Sequence, residues 1–235
     1  MHYLKFTLTI ALAIGCKQMF GQIDEKFNDA DFDHAPVWTG DVTKFSANTQ
    51  QLKLAAPAVA GSAYLSTSST AIYQGSWEFE VSMAFNPSST NYALVYLTAS
   101  HDVLTNNPDG YIVRVGNTGD DVSFYRQIDG VLTELIKGRD GLLNLAAPAV
   151  RIKVTVSASG QWELFTDLGL TGNYQSEGTA VDLTLQSSLF FGVQCIYTAT
   201  RSDKFTFDNI TVTGSPFPDI TPPALLSHSV TSDHT

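Results

Sequence analysis

A two-residue rhythm runs through most of this chain, and it constrains the fold more than any other feature. In SWEFEVSMAF the residues Trp77, Phe79, Val81, Met83 and Phe85 fall on one side. In AVRIKVTVS, Val150, Ile152, Val154 and Val156 face one way, while Arg151, Lys153 and Thr155 face the other. Phe191, Val193, Cys195 and Tyr197 make a third row in LFFGVQCIY. Side chains alternate across a strand, so each run predicts a strand with one packed and one wetted face. That is the signature of antiparallel sheet. Further strands are predicted over 51–55, 62–67, 92–99, 110–116, 121–128, 131–137, 161–167 and 204–212. Turn-forming stretches separate them: NPSSTN, NNPDG, GNTGDD, KGRDG and SASGQ. Asp129-Gly130 is the strongest hairpin signal. No segment carries a long 3.6-residue period, although GLLNLAA (141–147) has room for one helical turn. The expectation is an all-β chain, an antiparallel two-sheet β-sandwich or jelly roll with little helix. The repeated LAAPAV, at 54–59 and 145–150, lies in Ala-rich loops and its surroundings do not match, so it is not read as duplication.

The ends look different. Lys5 precedes an apolar run from Phe6 to Gly15, too short to span a bilayer as a helix and suited to a secretory signal. Cleavage after Gly21 leaves Gln22 first; the competing reading lipidates Cys16 in LAIGC, but Ala13 stands where the lipoprotein pattern has a bulky aliphatic residue. The expected organisation is a signal peptide over 1–21, a β-sandwich over 22–214 and a Pro-rich linker over 215–235. Removing residues 1–21 takes away Lys5 and Lys17 and no acid, leaving 11 basic against 23 acidic side chains. That balance disfavours nucleic acid, whose phosphates it repels, and anionic lipid. Of the two cysteines only Cys195 remains, so no internal disulfide can form. Its apolar flanks predict a buried small hydrophobe.

Common catalytic motifs are missing: there is no HExxH, GxSxG, GxxxxGK[ST] or CxxC. FNDADFDHAP places Asp29, Asp31 and Asp33 at EF-hand-like spacing. The sixth loop position is not Gly, and Gly40 stands where the twelfth should be Glu, so an EF-hand is excluded. Rings outside the obvious core rows are Trp38, Tyr92, Tyr96, Tyr125 and Tyr174. Tyr92 and Tyr96 share a strand face, and Arg126 follows Tyr125. Tyr92, Tyr96, Tyr125 and Arg126 are the candidate ligand-binding residues, because a sugar offers an apolar side to a ring and hydroxyls to polar groups. The competing expectation is that the tyrosines bury in the core with one polar tip.

The strand pattern resembles the concanavalin A-like lectin and glucanase superfamily. Its laminarinase-type enzymes carry three carboxylates on one strand face; here that face reads Glu78, Glu80, Ser82, Ala84. With Ser82 in the third place and no opposed partner in view, retaining hydrolysis is disfavoured. The ending FDNITV also resembles secreted sandwich modules of this class, which implies calcium as the cofactor, held by Asp208 with Asp31 or Asp29. APVWTGD, FNPSSTNYALVYLTAS, GYIVRVGNTGDD and FGVQCIYTATRSDKFTFDNITV together look like the N-terminal module of large secreted Gram-negative surface proteins. The resemblance implies a secreted or cell-surface location, a glycan or surface polymer as partner, and Ig-like or lamin-tail domains downstream. The expected function is therefore non-catalytic adhesion or carbohydrate binding. The alternatives are a structural spacer without ligand and a glycan hydrolase.

Overall fold

A computed structural model describes residues 22–219. The expected signal peptide over 1–21, with Cys16, and all but the start of the expected linker lie outside the described residues. Fifteen strands account for most of what is described: β1 (Ile23–Glu25), β2 (Thr39–Gly40), β3 (Phe45–Ser46), β4 (Leu52–Leu54), β5 (Gly61–Ser68), β6 (Tyr73–Met83), β7 (Tyr92–Ala99), β8 (Gly110–Gly116), β9 (Asp121–Ile128), β10 (Val131–Ile136), β11 (Ala149–Val156), β12 (Gln161–Leu168), β13 (Gln175–Val181), β14 (Phe190–Tyr197) and β15 (Phe205–Ser215). Among the described residues helix is confined to short 3-10 turns at Val42–Lys44, Leu104–Asn106 and Ala199–Arg201. The helical turn expected over 141–147 is a plain turn instead.

Two antiparallel sheets result. Sheet I runs β13-β12-β11-β6-β15-β4-β3, with β1 also on β15; sheet II runs β10-β9-β8-β7-β14-β5-β2. The alternating rows behave as their chemistry demands. Trp77, Phe79, Val81 and Met83 turn inward from sheet I, and Val95, Val113, Phe124 and Val193 turn inward from sheet II. At one end of this core Trp162 meets Tyr111 at 4.4 Å, Phe124 at 5.0 Å and Trp77 at 5.5 Å between ring centroids. Such ring pairs add about 0.5–1.5 kcal/mol each beyond the area they bury. Cys195 is fully buried. Trp38 also belongs to the core, packed on Phe27 and Phe191, and so is no surface ring.

The β9–β10 hairpin turns at Asp129-Gly130, with φ of 51° and 75° and Val131 opposite Ile128. Two successive positive φ values are what a two-residue primed turn requires. The first and last described strands meet in sheet I, where Ile23 pairs with Val212.

Candidate functional site

Each sheet has an outward face, and the two differ. On sheet I the rows cross the strands as charge ladders. Asp208, Glu80, Arg151 and Asp167 are successive cross-strand neighbours, and Glu78 stands opposite Lys153. Arg151 donates through Nε and Nη2 to Glu80 Oε1, at 2.9 and 2.6 Å. Glu80 is only 6% exposed, drier than an ordinary wetted strand position. Glu78 lies beside the Tyr174 hydroxyl. The two glutamates are thus neighbours on one face, Glu80 held by Arg151, and not a pair opposed across a sugar-sized gap.

The outward face of sheet II carries the tyrosines. Tyr96, Ile112 and Tyr125 form one row across β7, β8 and β9, and Glu134 on β10 continues it. Tyr96 is buried and its hydroxyl donates to the Leu104 carbonyl at 3.3 Å. Burial pushes its phenol up to about 12, with Gln127 pulling the other way. The ring is therefore a pillar under the β7–β8 connection rather than an open platform. Tyr125 is covered by Arg114, whose guanidinium sits 4.5 Å from the ring centroid and donates to the Tyr125 hydroxyl; that hydroxyl donates to Glu134 at 2.8 Å. Burial, then the Glu134 contact, raises Tyr125 to about 12. Tyr92 begins the row Tyr92–Gly116–Asp121 and stays partly exposed. Arg126 departs from this group. Strand alternation turns it to the core side, where it pairs with Asp182 and donates to Thr184 Oγ1 at 2.8 Å.

Asp121, which no motif in the sequence marks, ends the row that Tyr92 begins. It is 3% exposed; its Oδ2 accepts from Ser123 Oγ at 2.6 Å, while Oδ1 is buried without a hydrogen-bond partner. A carboxylate oxygen left dry and unpaired is costly, by roughly 1–3 kcal/mol or more for a charged group. The segment Lys137–Leu143 folds over it. Gly138 N donates to Ser123 Oγ at 3.0 Å, and a Cβ on Gly138 would lie 2.0 Å from the Val122 carbonyl oxygen, so only glycine fits. Asp140 arrives on this segment. A Cβ on Gly119 would stand 3.2 Å from Asp140 Oδ1 and 3.3 Å from Asp121 Oδ1, so both oxygens flank one small space. Lys137 pairs with Asp140 Oδ2 at 2.9 Å, and Asp140 and Asp121 hold its ammonium above the ordinary lysine range. Burial, followed by the charge of Asp121, raises Asp120. Asp121 Oδ1 and Asp140 Oδ1 are hard oxygen donors of the kind calcium takes with water completing its shell; because the Lys137 ammonium already pairs with Asp140, a calcium ion here would have to displace it.

The expected calcium trio does not assemble. Asp208 accepts from Gln51 Nε2 at 3.2 Å and from the Asn209 amide at 2.7 Å, out in sheet I. Asp29 Oδ1 only receives the Asp31 amide, at 3.4 Å. Asp31 instead gathers with Asp33 and His34. His34 Nδ1 is 2.7 Å from Asp33 and 3.3 Å from Asp31, and those charges raise its pKa, favouring an imidazolium that repels a cation.

Two stacked antiparallel sheets make this chain a β-sandwich, a fold it shares with solved lectin domains. Among solved structures, the calcium-bound exoplasmic/lumenal domain of VIP36 matches with a TM-score of 0.57 at 15% identity, over 85% of this chain and 92% of that one. The Ca2+/Man3GlcNAc-bound form of the same domain gives 0.56 at 14% identity, over 79% and 86%. A point mutant of the Emp46p carbohydrate recognition domain gives 0.55 at 11%, over 82% and 95%. At these identities the likeness establishes the fold. No protein-family model matches the sequence, and no curated protein matches it.

Proposed function

We propose that this chain is a non-catalytic carbohydrate-binding module whose ligand site lies at the Asp121 end of the outward face of sheet II and is organised by calcium. One observation carries the reading: a buried carboxylate oxygen without a partner, facing a second carboxylate, on the same row as a partly exposed tyrosine. Tyr92 and Asp121 are two strands apart, roughly 10 Å, a separation two linked sugar units would span. Tyr92 offers the stacking surface, and Arg114, one outward position along β8 from Gly116, offers a polar contact. Tyr96 and Tyr125 serve the site from below, and Arg126 lies outside it. The metal would contribute charge neutralisation and coordination to sugar hydroxyls, while the chain's own residues position it.

Two further features support the reading. The matching VIP36 domain has been solved metal-free, with calcium, and with calcium and a mannose-containing glycan, and the Emp46p domain is a carbohydrate recognition domain. The leader-like start fits an exported adhesion module on a bacterial surface, joined by its Pro-rich linker to further domains. Among the described residues no helix is long and apolar enough to cross a membrane.

The test is a melting curve with and without calcium, followed by a glycan array on the purified chain. A ligand of the native state raises the melting temperature as its concentration passes saturation. Calcium-dependent stabilisation that disappears in Asp121→Asn, together with calcium-dependent glycan capture that weakens in Tyr92→Ala, is the expected outcome. A melting temperature indifferent to calcium, with a blank array, overturns the proposal in favour of a spacer.

A further inference from the structure

The outward face of sheet I contains a feature its folding does not need. Apart from the small Ala149, the outward side chains of β6 and β11 are polar, from Ser76 and Glu78 to Lys153 and Thr155. Phe165 on β12 breaks that pattern. It faces Lys153 across the ladder and is only half-buried. Beside it the β12–β13 register shifts, between Leu164 and Phe165. Irregularities of this kind re-aim a side chain and recur next to functional sites. Tyr174, in the β12–β13 connection, comes back over the face. Its ring stands edge-on to Phe165 at 6.4 Å, and Lys153 Nζ lies 5.9 Å from its centroid.

Lys153, Thr155, Phe165 and Tyr174 line an open hollow of about 210 Å³. A second hollow of about 360 Å³ shares Thr155 and continues past Glu163 to Gln161 and Ser157. The two adjoin at Thr155 and together trace a shallow groove along β11 and β12, with rings at one end and hydrogen-bonding groups at the other. From Phe165 to Gln161 the strand rises roughly 13 Å, the length of a short oligosaccharide.

We propose that this groove binds a neutral linear oligosaccharide, with one sugar ring against Phe165 and Tyr174 and the following units running along β12 towards Gln161. The inference rests on the reading of the domain as glycan-binding, but it names a second site on the opposite sheet that uses no metal. The groove's charges select the ligand class. Lys153 has Glu78 opposite it on β6, and Glu163 stands one outward position along β12 from Phe165, opposite Thr155, so acids flank the ammonium on both strands and a polyanion gains nothing. A purely apolar chain would strand those groups without hydrogen bonds. A polyhydroxylated neutral chain satisfies both halves, apolar side to the rings and hydroxyls to the ladder.

Calorimetric titration in EDTA separates this site from the first. The probes are cellohexaose, laminarihexaose and mannohexaose, and the proteins are wild type, Asp121→Asn, Phe165→Ala, Phe165→Trp and Lys153→Gln. At least one probe is expected to bind in EDTA and to bind Asp121→Asn equally well. Phe165→Ala should weaken it about tenfold or more, the loss of one good ring contact, while Phe165→Trp retains it. Lys153→Gln should weaken it less. No saturable binding of any probe in EDTA overturns the groove, even where calcium-dependent binding elsewhere survives. Binding that a folded Phe165→Ala variant retains unchanged overturns it too. Loss of calcium-dependent capture alone, with the EDTA-resistant binding intact, counts against the sheet II site and for this one.

Discussion

Gln22 and Glu25 show how much a single side chain at the start of the domain contributes. Gln22 Oε1 accepts from the Thr70 amide at 2.8 Å, the Ala71 amide at 3.0 Å and Ser69 Oγ at 3.0 Å, and its Nε2 donates to the Gly214 carbonyl at 3.1 Å. One amide thereby ties the first strand to the β5–β6 corner and the last strand. Gln22→Ala is expected to lower the unfolding free energy by about 2 kcal/mol, read from the denaturant midpoint at unchanged slope. Glu25 works in the opposite sense. Burial raises its pKa, more than the Phe27 amide on Oε1 at 2.7 Å lowers it. A carboxyl whose folded pKa is raised favours the native state below its unfolded value and loses that contribution as pH rises through the folded one. Glu25→Gln should therefore raise the melting temperature at pH 7, with the gain vanishing in acid below about pH 4. A variant less stable than wild type at pH 7 would contradict this. Neither role was legible in the sequence, because QIDEKF gives no sign of what the far strands bring to it. Asp121 was hidden for the same reason: in GNTGDDVS it reads as one more turn acid, and only the later segment carrying Asp140 gives it a neighbour.

Among the elements, the long half-buried strands were the legible ones, since a packed face forces large apolar residues to every second position. β6, β7, β11, β14 and β15 fall where alternation puts them. β13 was missed because QSEGTAV lies at the sheet edge, exposed on much of its length, with no apolar row to declare it. β2 and β3 are two residues each, too short for any period to register. The faces were harder to read than the strands. Tyr92 and Tyr96 do share one, but Tyr96 is roofed by the β7–β8 connection, whose arrival strand patterning cannot express. Tyr96→Phe removes the hydroxyl that holds Leu104 and should cost about 1 kcal/mol. Amide exchange should quicken in residues 100–109 while β11 and β12 stay protected; uniform quickening across both sheets would show that the pillar has a different role. Gly138→Ala tests the other covering segment. Its Cβ would clash with the Val122 carbonyl, so the Lys137–Leu143 turn must lift away from Asp121. Calcium-dependent stabilisation should fall with it, although no carboxylate has been touched.

For the whole molecule, the two sheets are joined at one end by more than apolar contact. Asp182, in the β13–β14 connection, takes Tyr111 Oη on Oδ1 at 2.6 Å and the Thr184 amide at 2.9 Å, and it pairs with Arg126 through Oδ2. Its backbone carbonyl receives Trp162 Nε1 at 3.0 Å. Tyr111 and Arg126 belong to sheet II and Trp162 to sheet I, so one residue clasps both layers beside the aromatic cluster. Burial pushes the Asp182 carboxyl up, and the hydrogen bonds from Tyr111 and Thr184 outweigh it, leaving a net lowered pKa. Glu177 on β13 follows the same pattern, with Arg139 and Thr166 outweighing its burial. A group with a lowered folded pKa contributes stability above its unfolded value and loses it as pH falls through the folded one. Acid unfolding should therefore set in below about pH 4, where both carboxylates begin to take up protons. Asp182→Asn keeps the shape and an acceptor oxygen but leaves Arg126 without its charge partner. It should cost about 3 kcal/mol at neutral pH, as expected for a largely buried pair broken on one side. The gap to wild type should narrow steadily as pH falls, since protonation removes the same charge from the native residue. Circular dichroism melts of the two proteins at a series of pH values decide it: a gap that stays constant into acid would mean that Asp182 contributes packing and not charge.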